Sequence, residues 1–295
     1  MPGQQADSEY LEREYTPSSV SLRPVEEYVA EYTEKSRQAR ADLDGRLDLQ
    51  YGDHPGETLD LFSARHGGAP LQLFMHGGYW RRLGKEDFSY LAPSYVKSGM
   101  NFAVLNYSLL PAVTIDVIVD QCRRSIAWLY RHARELNFDA ESIHISGHSA
   151  GAHLCAMCLD TGWAEEFGVP DNLVKSACLV SGIYDLGPLL RVSANETWGF
   201  TPESAAAYSP MGHPPRWAGT DLIITYGDVE TREFKRQSAR YFELCAKRGM
   251  KVRGAPMPDQ DHFTVISELG RADSVLFRLV SDTMQCRAGM PPGAG

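Results

Sequence analysis

A serine flanked by small residues lies where the sequence changes from a strand pattern to a helix pattern. The pentapeptide Gly-His-Ser-Ala-Gly (147–151) follows the apolar run 143–146 and opens a helix-like stretch at 150–159. Its two glycines allow a sharp backbone turn, so the hydroxyl of Ser149 would stand exposed above a sheet edge with a helix N-terminus behind it. This arrangement is a nucleophile elbow, which requires a strand, a tight turn and a helix in that order.

Strand and helix patterns alternate along most of the chain. We expect strands at 72–75, 102–107, 143–146, 177–181, 222–226 and 252–255, and helices at 88–98, 115–135, 150–159, 231–248 and 272–284. Such alternation predicts a mostly parallel sheet with helices on both faces. A hairpin at 47–51 and 58–62 precedes it, and this order is typical of the α/β-hydrolase fold.

Three parts of the chain differ in pattern. We expect a helical extension at 1–45, an α/β-hydrolase domain at 46–288, and a flexible, Gly/Pro-rich tail at 289–295. Within the domain, residues 185–219 break the alternation and are rich in aromatic side chains. We expect this cap segment (residues 185–219) to lie over the ends of the strands.

Bulk properties exclude several classes of protein. The 295-residue chain has a net charge of −9 and a pI near 5.5, which argues against nucleic acid as a partner. No apolar run approaches the roughly 18–20 residues that span a bilayer, and the polar N-terminus has no apolar signal core. We therefore expect a cytoplasmic protein that acts on a small molecule, and a homodimer is left open.

Cysteine and histidine spacings do not indicate a metal site. The six cysteines lie mostly in apolar periodic segments, which favours buried, reduced thiols. Cys155 and Cys158 form a C-x-x-C with no second pair, and His148 and His153 do not match the H-E-x-x-H pattern. We expect no metal and no cofactor.

A serine hydroxyl needs a base to accept its proton during attack. Among nine histidines, His262 lies in a polar loop after the last predicted strand, where this fold places its base. His148 and His153 are tied to the elbow and its helix, and His76 is expected to order its own loop. We expect His262 to be the general base for Ser149.

Two carboxylates follow the predicted strand 222–226. Hydrolases of this fold often carry a G-x-x-acid pattern here, and Gly227 places Glu230 in that position. Asp228 is the alternative acid. The carboxylate that does not orient the histidine would cap the helix that follows.

The oxyanion hole requires backbone N–H groups near the nucleophile. His-Gly-Gly-Tyr-Trp (76–80) follows an apolar strand and resembles the HGGG module of esterases, with Tyr79 in place of the third glycine. The predicted donors are the amides of Gly78, Tyr79 and Ala150.

Four segments together resemble the metal-independent kynurenine formamidases, or arylformamidases, of the α/β-hydrolase fold. They are 76–80, 147–151, Glu-Thr-Arg-Glu-Phe-Lys-Arg-Gln-Ser at 230–238, and Asp-His-Phe at 261–263, and the likeness runs from about residue 51 to about residue 266. The resemblance implies Ser149 as nucleophile, Glu230 as acid and His262 as base. Animal members carry Asp at the position of Glu230, so the carboxylate here is one methylene longer.

The resemblance also implies an activity. A chain of this family would cleave the N-formyl amide of N-formyl-kynurenine, or of a related aryl formamide, to formate and an arylamine. A carboxylesterase for small aryl or short-acyl esters is the alternative with the same mechanism. A non-catalytic binding protein of the same fold is the alternative from another class.

Several side chains are candidates to contact the substrate. Tyr79 and Trp80 would narrow the acyl site, and Trp198 and Phe200 would hold the aromatic leaving group, unless they only form the cap's own small core. Three basic residues, Arg81, Arg82 and Lys85, would attract a substrate carboxylate or else form a solvated basic face.

Overall fold

The computed structural model describes residues 2–287, with side chains from residue 7 to residue 286. The predicted tail at 289–295 lies outside the described residues. The strands are β1 (Gly45–Gln50), β2 (Thr58–Phe62), β3 (Ala69–Met75), β4 (Asn101–Leu105), β5 (Phe138–His148), β6 (Val174–Val180), β7 (Asp221–Gly227), β8 (Val252–Arg253) and β9 (Pro256–Met257). The α-helices are α1 (Pro2–Glu14), α2 (Val25–Asp42), α3 (Ala92–Lys97), α4 (Ile115–His132), α5 (Ala150–Cys158), α6 (Trp163–Phe167), α7 (Asn195–Trp198), α8 (Pro202–Ala207), α9 (Arg232–Lys247) and α10 (Val275–Arg287).

One mixed sheet forms the centre of the molecule. Its strand order is β1-β2-β4-β3-β5-β6-β7-β8, and β9 continues along the end of β7. The pairs β1–β2 and β2–β4 are antiparallel, and the remaining pairs are parallel. The prediction of an α/β-hydrolase fold with a leading hairpin is confirmed.

The central strands are largely buried on both faces, as a parallel sheet covered by helices requires. Successive residues alternate between two cores: Leu73 belongs to the core beneath α4, α5 and α9, whereas Phe74 belongs to the core beneath α2, α3 and α10. Every residue of β3 and β4 is buried. The near-continuous apolar runs of the sequence therefore correspond to strands packed on two sides.

Two predicted elements differ from the observed ones. The expected helix at 88–98 is a 3₁₀ turn, Ser89–Leu91, followed by the short helix α3, because Pro93 has no N–H and suits only the first helical turn. The expected strand at 252–255 is divided into β8 and β9 at Gly254. A Cβ there would lie 1.9 Å from the carbonyl oxygen of Ile224, and φ is +140°, so only glycine fits.

The carboxyl ends of the parallel strands meet at one edge of the sheet. The segment 76–80 follows β3, Ser149 follows β5, Ser181 follows β6, Glu230 follows β7 and His262 follows β9.

Residues 2–42 form α1, a 3₁₀ turn at Pro17–Val20 and α2. The cap segment contains a 3₁₀ helix, Gly187–Arg191, and the short helices α7 and α8. None of the helices in the described part of the chain is both long and apolar enough to cross a membrane.

Candidate active site

The predicted nucleophile lies in a strained turn between β5 and α5. Ser149 has φ 56° and ψ −120°, values that a non-glycine residue rarely adopts. Its N–H donates to the carbonyl of Val180 at 2.9 Å. A Cβ on Gly147 would lie 2.3 Å from the carbonyl oxygen of Gly151, and one on Gly151 would lie 2.0 Å from that of Met75. Both glycines of the pentapeptide are therefore needed for this turn.

The predicted acid and base lie side by side. His262 Nδ1 is 2.9 Å from Glu230 Oε2, and both side chains are buried. With Nδ1–H donated to the carboxylate, the Nε2 lone pair is free to accept a proton. Asp228 is exposed to solvent, and its backbone N–H donates to Met257. The structure thus brings Glu230 to the imidazole and leaves Asp228 away from it.

A second serine holds Glu230 in place. Ser181 Oγ and the backbone N–H of Gly227 both donate to Glu230 Oε1, at 2.5 and 2.7 Å. Ser181 is fully buried with φ 53°. Sequence reasoning did not single it out, although a serine at the carboxyl end of a central strand was the available signal.

Ser149 and His262 line the same cavity, which has a volume of about 850 Å³. The ring of His148 lies 4.6 Å from that of His262, between centroids, and Phe234 lies at the same centroid distance from His262. Burial, with the nearby His262, holds the pKa of His148 well below its usual range. His148 is therefore neutral and adds no charge beside the base.

The segment 76–80 lies against the elbow. A Cβ on Gly77 would be 3.3 Å from the Cβ of Ser149, so the two loops are in contact. Gly78 has φ 108°, and Tyr79 and Trp80 have φ 53° and 57°, so three consecutive residues are left-handed. The amide of Ala150 belongs to the first turn of α5, whose N–H groups have no acceptor within the helix. The three predicted oxyanion donors thus belong to two loops that meet at Ser149.

His76 is a structural residue of this segment. It is fully buried, its Nδ1 is 2.7 Å from the carbonyl of Gly77, and its ring stacks on Tyr107 at 4.3 Å. Burial lowers the pKa of His76 to about 4. A neutral imidazole in these contacts orders the loop, as the sequence led us to expect.

The four candidate substrate-binding aromatics lie in two layers. Tyr79 and Trp198 line the cavity, and their rings stack at 4.9 Å. Trp80 and Phe200 lie behind them, buried and outside the cavity wall, with their rings 5.5 Å apart. The indole N–H of Trp80 donates to His153 Nδ1 at 3.2 Å. We therefore correct the expectation for Trp80 and Phe200: both support the wall and do not form it.

The three basic candidates differ in whether they reach the cavity. Arg81 and Arg82 line the cavity at exposed positions. Lys85 is 1% exposed, and its Nζ lies 2.6 Å from Asp48 and 3.1 Å from Asp60. A buried lysine whose ammonium group is held by carboxylates, and which does not line the cavity, is unable to meet a substrate. Lys85 therefore belongs neither to the cavity nor to a solvated face.

The segment from Glu12 to Tyr32, here called the N-terminal cover (residues 12–32), forms much of the cavity wall. Its lining residues are Glu12, Tyr15, Thr16, Pro17, Ser18, Val25, Glu26, Val29, Ala30 and Tyr32. Residues 192–198 of the cap segment complete that wall. The sequence-based site contained no residue before His76. The available signal was the presence of tyrosines in a polar extension, with Tyr28 and Tyr32 one helical turn apart.

The described residues contain neither a cluster of metal ligands nor a disulfide bond. No group of three or more His, Cys, Asp or Glu side chains there is arranged to hold a metal ion. Cys155 and Cys158 are buried free thiols, and burial raises the pKa of Cys158 to about 12. Cys286 is the exposed member of the six free cysteines.

Comparison with known proteins agrees with this architecture. The BD-FAE family model matches residues 59–179. A solved structure from Silicibacter sp. TM1040, provisionally assigned as a thioesterase, is 28% identical, with a TM-score of 0.79 over 90% of this chain and 97% of that one. A thermostable carboxylesterase from a metagenomic library, 17% identical, has a TM-score of 0.67 over 92% and 99% of the two chains. Fold and relatives define a hydrolase of the α/β-hydrolase class.

Full-length relatives identify the family more narrowly. Kynurenine formamidase from Salmo salar is 33% identical over 93% of this chain and 95% of its own length. The enzyme from Danio rerio is 32% identical over 92% and 94%. The chain belongs to the kynurenine formamidase family.

Proposed function

We propose that this chain hydrolyses the N-formyl amide of N-formyl-kynurenine, or of a closely related aryl formamide, through Ser149, His262 and Glu230. One observation carries the proposal: His262 is held by Glu230 at 2.9 Å and shares a cavity with a serine in a nucleophile elbow. The full-length relatives named kynurenine formamidase support the choice of substrate.

Acylation begins when Ser149 Oγ attacks the formyl carbon. His262 Nε2 accepts the hydroxyl proton, and the imidazolium that forms is stabilised by Glu230. The carbonyl oxygen takes up the negative charge and accepts hydrogen bonds from the amides of Gly78, Tyr79 and Ala150. When the C–N bond breaks, His262 gives its proton to the nitrogen, and the arylamine leaves.

Deacylation repeats these steps with water. His262 removes a proton from a water molecule that attacks the formyl ester on Ser149. The second oxyanion collapses, the bond from carbon to Oγ breaks, and the proton returns to Oγ. Formic acid leaves and ionises to formate, so one amide and one water give one acid and one amine.

The walls of the cavity suit an aromatic amine with a charged tail. Tyr79 and Trp198 present stacked rings against which an aryl group can pack. Arg81 and Arg82 at the same wall provide positive charge for a carboxylate, and exposed Glu26 and Glu196 provide negative charge for an ammonium group. An amino-acid side arm carries both charges.

The cysteines support a cytoplasmic location, which is part of our proposal. All six cysteines are free, and five are buried. Reduced thiols are the rule in the cytosol, where disulfides are rare. Free, mostly buried thiols are what a cytoplasmic enzyme would carry.

An acyl-length series tests the substrate class. Formyl, acetyl and butyryl derivatives of one arylamine should show kcat/KM falling in that order, because each added methylene must fit beside Tyr79. The expected effect is about 1–3 kcal/mol for each methylene, or roughly 10- to 200-fold. The carboxylesterase alternative, which the esterase-like structural neighbours support, predicts faster turnover of 4-nitrophenyl butyrate than of any formamide. That result would overturn the formamidase assignment.

A further inference from the structure

Buried polar side chains follow the proposed triad acid Glu230 into the first turns of α9. The segment 230–238 contains Glu233 and Gln237, neither of which touches the reacting serine or histidine in the proposed mechanism. Both are buried on the first two turns of α9. Their partner is Tyr15, which lies 218 and 222 residues away in sequence, in the N-terminal cover.

Tyr15 is fixed to α9 through its side chain. Its hydroxyl donates to Glu233 Oε2 at 3.0 Å and accepts from Gln237 Nε2 at 2.7 Å. Its ring packs against Phe234, with centroids 6.1 Å apart, and only 4% of the residue is exposed. Glu14 adds a second attachment, because its carboxylate accepts from the backbone N–H of Arg232 at 2.8 Å.

The backbone of Tyr15 reaches the oxyanion loop. Its carbonyl oxygen accepts a hydrogen bond from the hydroxyl of Tyr79 at 2.5 Å. Tyr79 is one of the left-handed residues of that loop, and its amide is a proposed oxyanion donor. On its other side, the Tyr79 ring is held by the stacked ring of Trp198. The direction of the Tyr79 side chain therefore depends on both the N-terminal cover and the cap segment.

We propose that Tyr15 is a positioning residue for catalysis: α9 holds its hydroxyl, and its carbonyl holds Tyr79, so the N-terminal cover fixes the oxyanion loop. This inference rests on the proposed serine mechanism. A left-handed backbone persists only where surrounding contacts enforce it. Without the link, the loop would sample other conformations, and the Tyr79 amide would lose its aim at the developing oxyanion.

The test is a double-mutant cycle with Tyr15→Phe and Tyr79→Phe. Each change removes one hydroxyl of the link and keeps the aromatic ring. Tyr95→Phe is the matched control, because the Tyr95 hydroxyl is buried in the other core and, within the described residues, has no hydrogen-bond partner. Steady-state kinetics are measured on N-formyl-kynurenine and on 4-nitrophenyl acetate, with thermal unfolding of every variant alongside.

We expect kcat to fall about tenfold in each single variant, a fraction of the effect of deleting an oxyanion donor, with KM within about twofold of wild type. The double variant should lose little more than the worse single variant, because both hydroxyls act along one path. Tyr95→Phe should keep wild-type kinetics.

Either of two results would overturn the proposal: wild-type kcat for Tyr15→Phe on both substrates, or losses that simply add in the double variant. A lowered melting temperature with unchanged kcat would show a purely structural role and counts against it as well. Because an oxyanion forms with either substrate, a failure to turn over the formamide alone would refute the proposed function. The role of Tyr15 would then be tested by the kinetics on 4-nitrophenyl acetate alone.

Discussion

At the scale of single residues, the catalytic role of Ser149 depends on its hydroxyl, whereas its structural role depends on its strained backbone. A non-glycine residue in such a conformation costs about 1–3 kcal/mol, which the surrounding contacts must offset. Alanine adopts the same backbone conformation with a similar cost, and it lacks only the hydroxyl. We expect Ser149→Ala to lose nearly all turnover while its melting temperature stays within about 2 °C of wild type.

Labelling with a fluorophosphonate probe provides the control for that prediction. Wild-type protein should react at Ser149, and Ser149→Ala should not. Substantial turnover by the alanine variant would rule out the serine mechanism altogether.

The two carboxylates after β7 form a matched pair of sites. Glu230 is buried against His262, whereas Asp228 is exposed. Glu230→Gln should lower kcat by orders of magnitude, by analogy with the roughly 10⁴-fold loss for the equivalent change in a serine protease. Asp228→Asn should leave kcat within about twofold of wild type, since exposed substitutions away from the site have small effects. If Asp228→Asn lost more kcat than Glu230→Gln, Asp228 and not Glu230 would be the acid of the triad.

At the scale of elements, the parts predicted correctly from the sequence are those governed by local rules. The elbow, α4 and the central strands follow from apolar runs, helical periodicity and glycine. Gly254 also explains the break between β8 and β9. This break could not be predicted from the sequence, because its cause is the close approach of Gly254 to the carbonyl of Ile224 in the folded chain. The choice between Asp228 and Glu230 likewise depended on where a distant loop places His262.

The role of the N-terminal cover was missed for the same physical reason. The helix α2 has only a weak apolar periodicity, because the side chains that it buries include tyrosines. The hydroxyl of Tyr28 bonds to a residue more than 200 positions away. Nothing in the local sequence gives the partner of such a tyrosine. The carboxylate of Asp261 next to the base was also unassigned, and it is the partner of Tyr28.

Asp261 links α2 to the loop that carries His262. Its Oδ1 accepts from the N–H groups of Phe263 and Thr264, and its Oδ2 accepts from Leu22 N–H at 2.8 Å and Tyr28 Oη at 2.7 Å. Burial raises the pKa of Asp261, but these hydrogen bonds outweigh it and hold the pKa below its usual value. The carboxylate is therefore charged and fully engaged.

Removing one donor from this carboxylate should be costly. We expect Tyr28→Phe to lower the free energy of unfolding by about 1.5–3 kcal/mol, the range for a hydrogen bond to a charged group. Urea denaturation measures this change, with Tyr95→Phe as the control that removes a hydroxyl with no hydrogen-bond partner among residues 7–286. Equal stability of Tyr28→Phe and wild type would mean that α2 is not held by this bond.

At the scale of the whole molecule, the active site lies between parts of the chain that are far apart in sequence. The sheet supplies Ser149, Glu230 and His262 at one edge, while the N-terminal cover and residues 192–198 close the cavity above them. Such a site exists only when the entire chain is folded. Conditions that unfold part of the cavity wall should therefore reduce activity.

His76 and His153 are two of the buried histidines, together with His148, that make global stability depend on pH. Burial lowers the pKa of His76 and of His153 to about 4, from the ordinary value of 6.5. Each stays neutral in the folded chain, whereas in the unfolded chain each gains a proton as the pH falls below about 6.5. The unfolded state then binds more protons, so stability falls with pH across the window from about 6.5 to about 4.

We expect the free energy of unfolding at pH 5 to be lower than at pH 7 by about 2 kcal/mol for each of these histidines, because at pH 5 only the unfolded imidazole is charged. Urea denaturation at both pH values measures the difference. In His153→Gln, the amide can still donate to the Tyr208 carbonyl and accept from the Trp80 indole, as the imidazole does, but it does not titrate. The difference between pH 7 and pH 5 should therefore shrink by about 2 kcal/mol in this variant. An unchanged difference would show that protonation of His153 does not set the acid sensitivity of the fold.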